Sequence, residues 1–200
     1  DIESSGIMDI FRVPKFSYWF YRSQSDRSPV CFIASYNTPS SGKTVRVFSN
    51  ADSVALYGDN KLIAKHGPDI NANTANLSHP PFTFTAKEHY RTLSAQGIKG
   101  GEVVASSSVP EATKPAAIRL SADFSNRPLS ADGADAIFVY ASVVDSTDNM
   151  VYSASDTVVF SVKGDAAIVG PESVRAEAGI APVIVQAGTK PGKIVVRARS

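Results

Sequence analysis

The chain has 200 residues, enough for one large domain or for two domains of about 100 residues each. Its 20 basic and 19 acidic residues leave a formal net charge of +1 and no run of Lys or Arg longer than two, which argues against a nucleic-acid-binding surface. Its 13 Gly and 12 Pro residues, with frequent Val, Ser and Thr, favour short strands joined by turns over a helical bundle.

The cysteine content and the length of the apolar runs exclude further kinds of site and of protein. Cys31 is the only cysteine, so the chain can form neither an internal disulfide nor a Cys-based zinc site. The longest apolar run, Ala136 to Val144, is far shorter than the ~20 residues that cross a bilayer. The chain begins at Asp1 without a Met or an apolar signal core, so we expect a processed chain or a piece of a longer protein. A β-rich chain with one cysteine favours the bacterial periplasm or secretion.

The first predicted element is an aromatic helix. Residues 15–23, KFSYWFYRS, place five aromatic side chains in six consecutive positions: Phe16, Tyr18, Trp19, Phe20 and Tyr21. We predict a helix from Pro14 to about Gln24, with Pro14 in the first turn, where its missing N–H costs nothing. At roughly 100° per residue the aromatic side chains surround the helix, so it should be buried against more than one neighbour.

Strand patterns follow from about residue 28. The stretch 29–36, PVCFIASY, is apolar, and in TVRVFSN the residues Val45 and Val47 alternate with Arg46 and Phe48. Tight turns at NADS and DN predict two successive hairpins over residues 44–66. FTFT and GGEVVASSSV supply further strands.

The stretch PEATKP is typical of a linker, because two prolines bracket short polar residues. After it, the second half of the chain again shows strand patterns joined by polar turns. About six or seven strands follow at a spacing of roughly 8 to 14 residues, which predicts a β-sandwich. In the last strand Ile194, Val196 and Ala198 should face one way, and Arg197 and Arg199 the other. We therefore predict a helical segment at 1–26, sandwiches at 27–109 and 116–200, and a linker at 110–115.

Catalytic and metal-site signals are weak. The three histidines, His66, His79 and His89, lie outside any HExxH frame, and no serine occupies a G-x-S-x-G elbow. GIKGG at 97–101 lacks the ending of a phosphate loop and predicts a plain turn. We predict no catalytic, cofactor-binding or metal-binding residue in the chain.

A cluster of aspartates in the second half has two interpretations. A calcium site between sandwich loops is one; the favoured one is that Asp stabilises turns through side-chain to backbone hydrogen bonds. The residues concerned are Asp123, Asp132, Asp135, Asp145 and Asp148.

Several stretches resemble the C-terminal part of glycoside hydrolase family 2, the β-galactosidase type. GIMDIFRVPKFSYWFYRSQ resembles the segment that closes the family's catalytic (β/α)8 barrel, with Gly-x-x-Asp, then Arg-x-Pro-Lys, then a helix rich in Tyr and Phe. VRVFSNADSVALYGDNKLIAK and LSHPPFTF resemble the next, Ig-like domain, although Gly58-Asp59-Asn60-Lys61 replaces the usual Leu-Asn-Gly-Lys. PAAIRLSAD, VVFSVKGDAAIVGPE and IAPVIVQAGTKPGKIVVRA resemble the last Ig-like domain.

This resemblance implies two tandem Ig-like β-sandwich domains preceded by a short helical stub from a missing (β/α)8 barrel. Family members are retaining exo-glycosidases with two glutamates about 5 Å apart at barrel strand ends. Those strands would precede Asp1, so no catalytic residue is carried onto this chain, and the resemblance implies no cofactor. The implied partners are the barrel of the same parent chain and the parent's oligosaccharide substrate. The aromatic helix should fold back onto the first sandwich or pair between copies through Phe16, Tyr18, Trp19, Phe20 and Tyr21.

Two alternatives belong to other classes: a bacterial cell-surface adhesin, and a carbohydrate-binding module. Tandem Ig-like domains occur in adhesins, but an adhesin array has no use for an aromatic helix. Carbohydrate binding by the sandwiches predicts exposed planar aromatic residues. Outside the helix the tyrosines are Tyr36, Tyr57, Tyr90, Tyr140 and Tyr152, and there is no Trp.

The absence of both catalytic glutamates gives a direct prediction. The isolated 200-residue chain should release no nitrophenol from nitrophenyl-β-galactoside, measured by absorbance. Turnover that follows the chain through purification would contradict the non-catalytic assignment.

Overall fold

Residues 6–200 are described by a computed structural model and form one α-helix and fourteen β-strands, all paired antiparallel. The first five residues of the predicted 1–26 segment lie outside this range. The chain divides into two units, Asp1–Glu111 and Ala112–Ser200, each with a three-stranded and a four-stranded sheet. The predicted mainly-β class is confirmed, and the sheets are consistent with β-sandwich domains.

The first unit contains the helix and seven strands. These are α1 Phe16–Ser23, β1 Cys31–Ile33, β2 Thr44–Ser49, β3 Ser53–Gly58, β4 Lys61–His66, β5 Phe82–Thr85, β6 Thr92–Lys99 and β7 Glu102–Pro110. The strand order is β1-β2-β5 in one sheet and β4-β3-β6-β7 in the other.

The core of the first unit lies between its two sheets. Val47 on β2 and Phe82 on β5 are fully buried, and they share one apolar cluster with Val54, Leu56 and Ala95 of the four-stranded sheet. The predicted alternation on β2 is confirmed, since Val45 and Val47 are buried while Arg46 is exposed. Period-two alternation therefore directs one face of each sheet into the sandwich.

One of the two predicted hairpins is wrong. β3 and β4 pair as expected, with Gly58 opposite Lys61, but β2 pairs with β1 and β5 instead of β3. The NADS stretch instead carries the chain from one sheet to the other. Asn50 and Ala51 are buried in this connection, whereas a surface hairpin turn would expose them.

The β3–β4 turn has the backbone of a type I′ turn. Asp59 and Asn60 both have positive φ, 48° and 65°, as this turn type requires, and Asn and Asp tolerate that conformation better than other non-Gly residues. Asp59 also pairs with Thr92, because its Oδ1 accepts the Thr92 N–H at 2.9 Å. A Cβ at Gly58 would overlap the Tyr90 ring, so Gly58 lets that ring close this end of the sheet.

The second unit contains seven strands. These are β8 Ala117–Asp123, β9 Ala136–Val144, β10 Thr157–Lys163, β11 Ala166–Val169, β12 Ser173–Arg175, β13 Ile180–Ala187 and β14 Val195–Arg199. The orders are β11-β13-β9-β8 and β12-β10-β14. Phe160 and Val158 on β10 and Val185 on β13 form the centre of its core. The predicted facing of the last strand is confirmed, since Val196 and Ala198 pack on this core while Arg197 and Arg199 are exposed.

Two glycines beside β11 give a matched test of packing. Both have positive φ, +108° at Gly164 and +99° at Gly170, so Ala at either position strains the backbone by about 1–2 kcal/mol. A Cβ at Gly164 would also lie 2.5 Å from the Lys193 carbonyl oxygen, whereas one at Gly170 would meet nothing within 4 Å. Gly164→Ala should therefore lower the free energy of unfolding more than Gly170→Ala, by roughly 1–3 kcal/mol.

Scanning calorimetry and circular dichroism of both variants measure this difference. Equal losses in the two variants would contradict the close contact at Lys193.

Candidate functional site

The segment before the helix is a turn organised by Asp9. Its Oδ1 accepts the N–H groups of Phe11 and Val13, each at 2.8 Å. These bonds hold Arg12 at a positive φ of 64°, which a non-Gly residue rarely adopts. Pro14 is bridged to Met8 in extended conformation, and Lys15 is the N-cap, so Pro14 precedes the helix. The prediction that Pro14 lies in the first turn is therefore wrong.

One side of α1 packs on an aromatic platform formed by Phe32, Tyr36 and Phe48. The Trp19 ring stacks on Phe32 with centroids 4.7 Å apart and an interplanar angle of 7°. Phe16 contacts the Phe32 and Tyr36 rings at 5.9 and 4.8 Å. Phe20 meets Phe48 edge-on at 5.5 Å. The predicted folding of the helix back onto the first sandwich is thus confirmed.

The other side of α1 is open. Tyr21 is 62% exposed, and Ile10, in the preceding turn, is 61% exposed. A groove of about 450 Å³ lies beside Tyr21, lined by Ile7, Tyr18, Tyr21, Arg22, Ser25, Arg27 and Ser28. Arg22 is fixed there, because its guanidinium donates to the Tyr18 hydroxyl at 3.2 Å and to Ser28 Oγ at 3.0 Å. Within the described residues, then, the helix has one packed side and one open side.

Two buried or half-buried amides tie the segment after α1 to the sandwich. Asn50 accepts the Val30 N–H and donates to the carbonyls of Ser25 and Ser28, each at 2.8 Å. The Gln24 side chain exchanges two hydrogen bonds with the backbone of His79, at 2.7 and 3.1 Å. These contacts fix where α1 can lie on the platform.

Asp26 adds an electrostatic contact to the same connection. Its carboxylate lies 3.2 Å from Lys99 Nζ and 3.3 Å from His79 Nε2. Lys99, which donates a hydrogen bond to this carboxylate, and after it the nearby His79 lower the pKa of Asp26. Asp26 is largely exposed, so we treat this pair as a minor contribution to stability.

The aspartate cluster stabilises turns. Asp145 is buried and accepts hydrogen bonds from Thr113, Thr147 and Asn149, and its pKa is lowered mainly by the Thr113 backbone N–H. Asp132 Oδ1 accepts two backbone N–H groups in its own turn. The favoured interpretation of these two residues as turn-stabilising is therefore confirmed.

The remaining three aspartates also have partners within the second unit. Asp135 accepts two hydrogen bonds from the Arg127 guanidinium, which lowers the pKa of Asp135 and raises that of Arg127. Asp123 accepts the Ser125 N–H, and Asp148 pairs with Arg119. Across residues 6–200 no group of three or more His, Cys, Asp or Glu side chains is arranged to hold a metal ion.

The histidines and the cysteine each have their own neighbours. His66 packs its ring 4.3 Å from that of Phe84, and His89 Nε2 lies 3.2 Å from Glu111. Cys31 is buried on β1, and this burial raises the pKa of its thiol to about 11. A contact from Ser107 lowers the same pKa and offsets only part of the effect of burial. A thiol in this state is protonated and unreactive near neutral pH.

Sequence reasoning missed the amide side chains that hold the first unit together. Asn50 lies in the NADS stretch, whose pattern predicts only a turn. Asn37 is 3% exposed with φ of 47°, and its Nδ2 donates to the carbonyls of Tyr90 and Val109 at 3.2 and 3.1 Å. An Asn between apolar strands is the one local signal that could have identified them.

Comparison with known proteins assigns the family. Residues 118–200 match the family model described as glycoside hydrolase family 2 C-terminal domain 5. Over 98% of its length the chain is 36% identical to a β-galactosidase of Thermoanaerobacter pseudethanolicus and 29% identical to the β-galactosidase BoGH2A of Bacteroides ovatus. The chain is a C-terminal region of a glycoside hydrolase family 2 protein.

This family 2 region spans 28% and 24% of the lengths of those two relatives. Its fold also matches a solved β-glucuronidase of family 2, with a TM-score of 0.84 at 23% identity, covering 98% of the chain and 21% of that structure. Among residues 6–200 no helix is long and apolar enough to span a membrane.

The stacking of Trp19 on Phe32 can be tested by fluorescence, because Trp19 is the only Trp. Phe32→Ala removes the stacked ring and should shift Trp19 emission to longer wavelength, raise its quenching by acrylamide, and destabilise the first unit by about 2 kcal/mol.

Tyr21→Ala is the matched control, since Tyr21 is exposed and its ring meets the Phe20 ring edge-on. It should leave the emission unchanged. An unshifted spectrum in Phe32→Ala would show that Trp19 does not lie on this platform.

Proposed function

We propose that this chain is a non-catalytic C-terminal accessory region of a retaining glycoside hydrolase, which supports or flanks the catalytic barrel. The observation that carries the proposal is the match of 98% of the chain to a β-galactosidase of which it spans only 28%. The remaining length of such a relative can accommodate the barrel and its two catalytic glutamates. Residues 7–24 are then the end of the barrel, and 27–109 and 116–200 the two accessory sandwiches.

The sheet orders support an Ig-like assignment for the first sandwich and for one sheet of the second. In the first unit β1-β2-β5 and β4-β3-β6-β7 correspond to strands A-B-E and C′-C-F-G of that fold. In the second unit β8-β9-β13-β11 corresponds to A-B-E-D.

The open side of α1 supports docking onto the barrel. Ile7 and Tyr21 line one groove and are 42% and 62% exposed, and Ile10 in the turn before the helix is 61% exposed. Exposed apolar surface of this kind is typical of an interface. The partner that fits is the catalytic domain of the same chain, because α1 lies within residues 7–24, the segment whose sequence resembles the end of the barrel. Self-association through the same aromatic residues is the competing use of this surface.

For the parent enzyme we propose hydrolysis of β-galactosides. Two similar curated proteins, at 36% and 29% identity, are β-galactosidases, whereas a curated β-glucuronidase is 26% identical. Neither of those two curated relatives is an adhesin, which disfavours the adhesin alternative.

The proposal is tested in the full-length protein encoded by the same gene. That protein should hydrolyse nitrophenyl-β-galactoside faster than the corresponding glucuronide. Tyr21→Glu should lower its inactivation temperature by several degrees, because a carboxylate would be forced into the interface between α1 and the barrel.

The control is the same substitution in the isolated 200-residue chain. Tyr21 is solvent-exposed there, so its melting temperature should change little. No hydrolysis of either glycoside by the full-length protein would overturn the enzyme assignment; equal effects of Tyr21→Glu in both forms would overturn the docking surface.

A further inference from the structure

A second surface lies on the outward face of the four-stranded sheet in the first unit. It is a shallow groove of about 530 Å³ over β3, β6 and β7. Its polar lining consists of Tyr57, Asn60, Ser94, Gln96, Ser106, Ser107 and Ser108. The lining contains no Asp, Glu, Lys, Arg or His side chain, although about one residue in five of the chain is charged.

Strand register brings these side chains together. Tyr57 on β3 is opposite Ser94 on β6, and Ser94 and Gln96 are opposite Ser108 and Ser106 on β7. The residues between them, such as Leu56, Leu93 and Ala95, are buried in the sandwich. Alternation therefore presents a continuous uncharged surface on the outward face.

The groove offers hydrogen-bonding groups that the protein itself does not use. Tyr57 donates its hydroxyl to Gln96 Oε1 at 3.3 Å, which leaves the Gln96 amide N–H groups without a protein acceptor among residues 6–200. The side chains of Asn60 and Ser106 likewise make no hydrogen bond within the described range. Ser94 and Ser108 share one hydrogen bond at 3.2 Å. Carboxamides and hydroxyls therefore remain available to a ligand in the groove that Tyr57 lines.

We propose that this groove binds a neutral oligosaccharide. Carboxamides and hydroxyls match the alternating donors and acceptors of sugar hydroxyls, and the half-buried Tyr57 ring offers an apolar surface for one face of a pyranose ring. The volume lies within the range of about 300–1,000 Å³ seen for small-molecule sites. The lack of cations disfavours phosphate or nucleic acid, and the polar lining disfavours a protein interface, whose centre is normally apolar.

Such a site would hold glycan on the accessory region and away from the catalytic centre. The choice of β-galactan as the first ligand rests on the proposed function, but binding itself does not. A parent enzyme that hydrolyses β-galactosides while the isolated chain binds no neutral glycan would overturn this inference alone.

The test is a two-dimensional amide NMR titration of the ¹⁵N-labelled 200-residue chain. The probes are β-1,4-galactotetraose, cellotetraose and, as a charged comparison, tetragalacturonate. We expect saturable shifts at Tyr57, Ser94 and Ser106 and at the Gln96 side-chain amide with at least one neutral probe. The shifts with tetragalacturonate should be much weaker, since the groove has no cation to pair with its carboxylates.

Variants identify the residues responsible. Tyr57→Ala should weaken binding about tenfold, the effect of losing roughly 1.4 kcal/mol of ring contact. Tyr57→Phe keeps the ring and should bind within about twofold of the original chain; it also covers the case in which Tyr57→Ala does not fold. Tyr21→Ala removes an exposed ring outside the groove and should bind normally.

Three results would overturn the proposal. They are the absence of saturable shifts with either neutral probe, shifts centred away from the groove, and binding unchanged by Tyr57→Ala in a folded protein. Trp19 emission reports whether the first unit is folded in each variant, because Trp19 lies in that unit and outside the groove.

Discussion

The first unit depends on the buried side chain of Asn50. It lies where the chain passes from one sheet to the other, and its carboxamide makes three hydrogen bonds of 2.8 Å to the connection between α1 and β1. Without this amide one N–H and two carbonyl groups would lose their partners, at a cost of about 1–3 kcal/mol for each that stays buried. One side chain thus links the sheet crossover to the placement of the aromatic helix.

That placement separates the two candidate surfaces of the unit. α1 lies on the outward side of the β1-β2-β5 sheet through Phe32 and Phe48, while the polar groove lies on the outward side of the β4-β3-β6-β7 sheet. Packed sheets are about 10 Å apart, so the sandwich core stands between them. A partner bound to the helix therefore leaves the groove accessible from the other side of the unit.

Local pattern was sufficient to predict much of the fold and only part of the sites. Alternation identified β2 and β14, the Asp-Asn pair identified the β3–β4 turn, and the aromatic run identified α1. Pairing between β2 and β5 could not be predicted locally, because Val47 and its partner Phe82 are about 35 positions apart in the chain. The groove was missed for the same reason: Tyr57 and Gln96 are neighbours only once β3 and β6 are in register. The open side of α1 likewise depends on which rings the distant β1 and β2 present to it.

The buried thiol of Cys31 has a practical consequence for following this protein. It is the only cysteine, it lies in the core of the first unit, and its raised pKa keeps it protonated. A thiol reagent can therefore reach it only when β1 separates from the sheet or the unit opens. The rate at which a thiol reagent modifies Cys31 under native conditions therefore measures how often those openings occur, and no cysteine has to be added to the chain. This rate reports sparsely populated open states of the first unit, to which equilibrium spectroscopy is insensitive because it averages over the whole population.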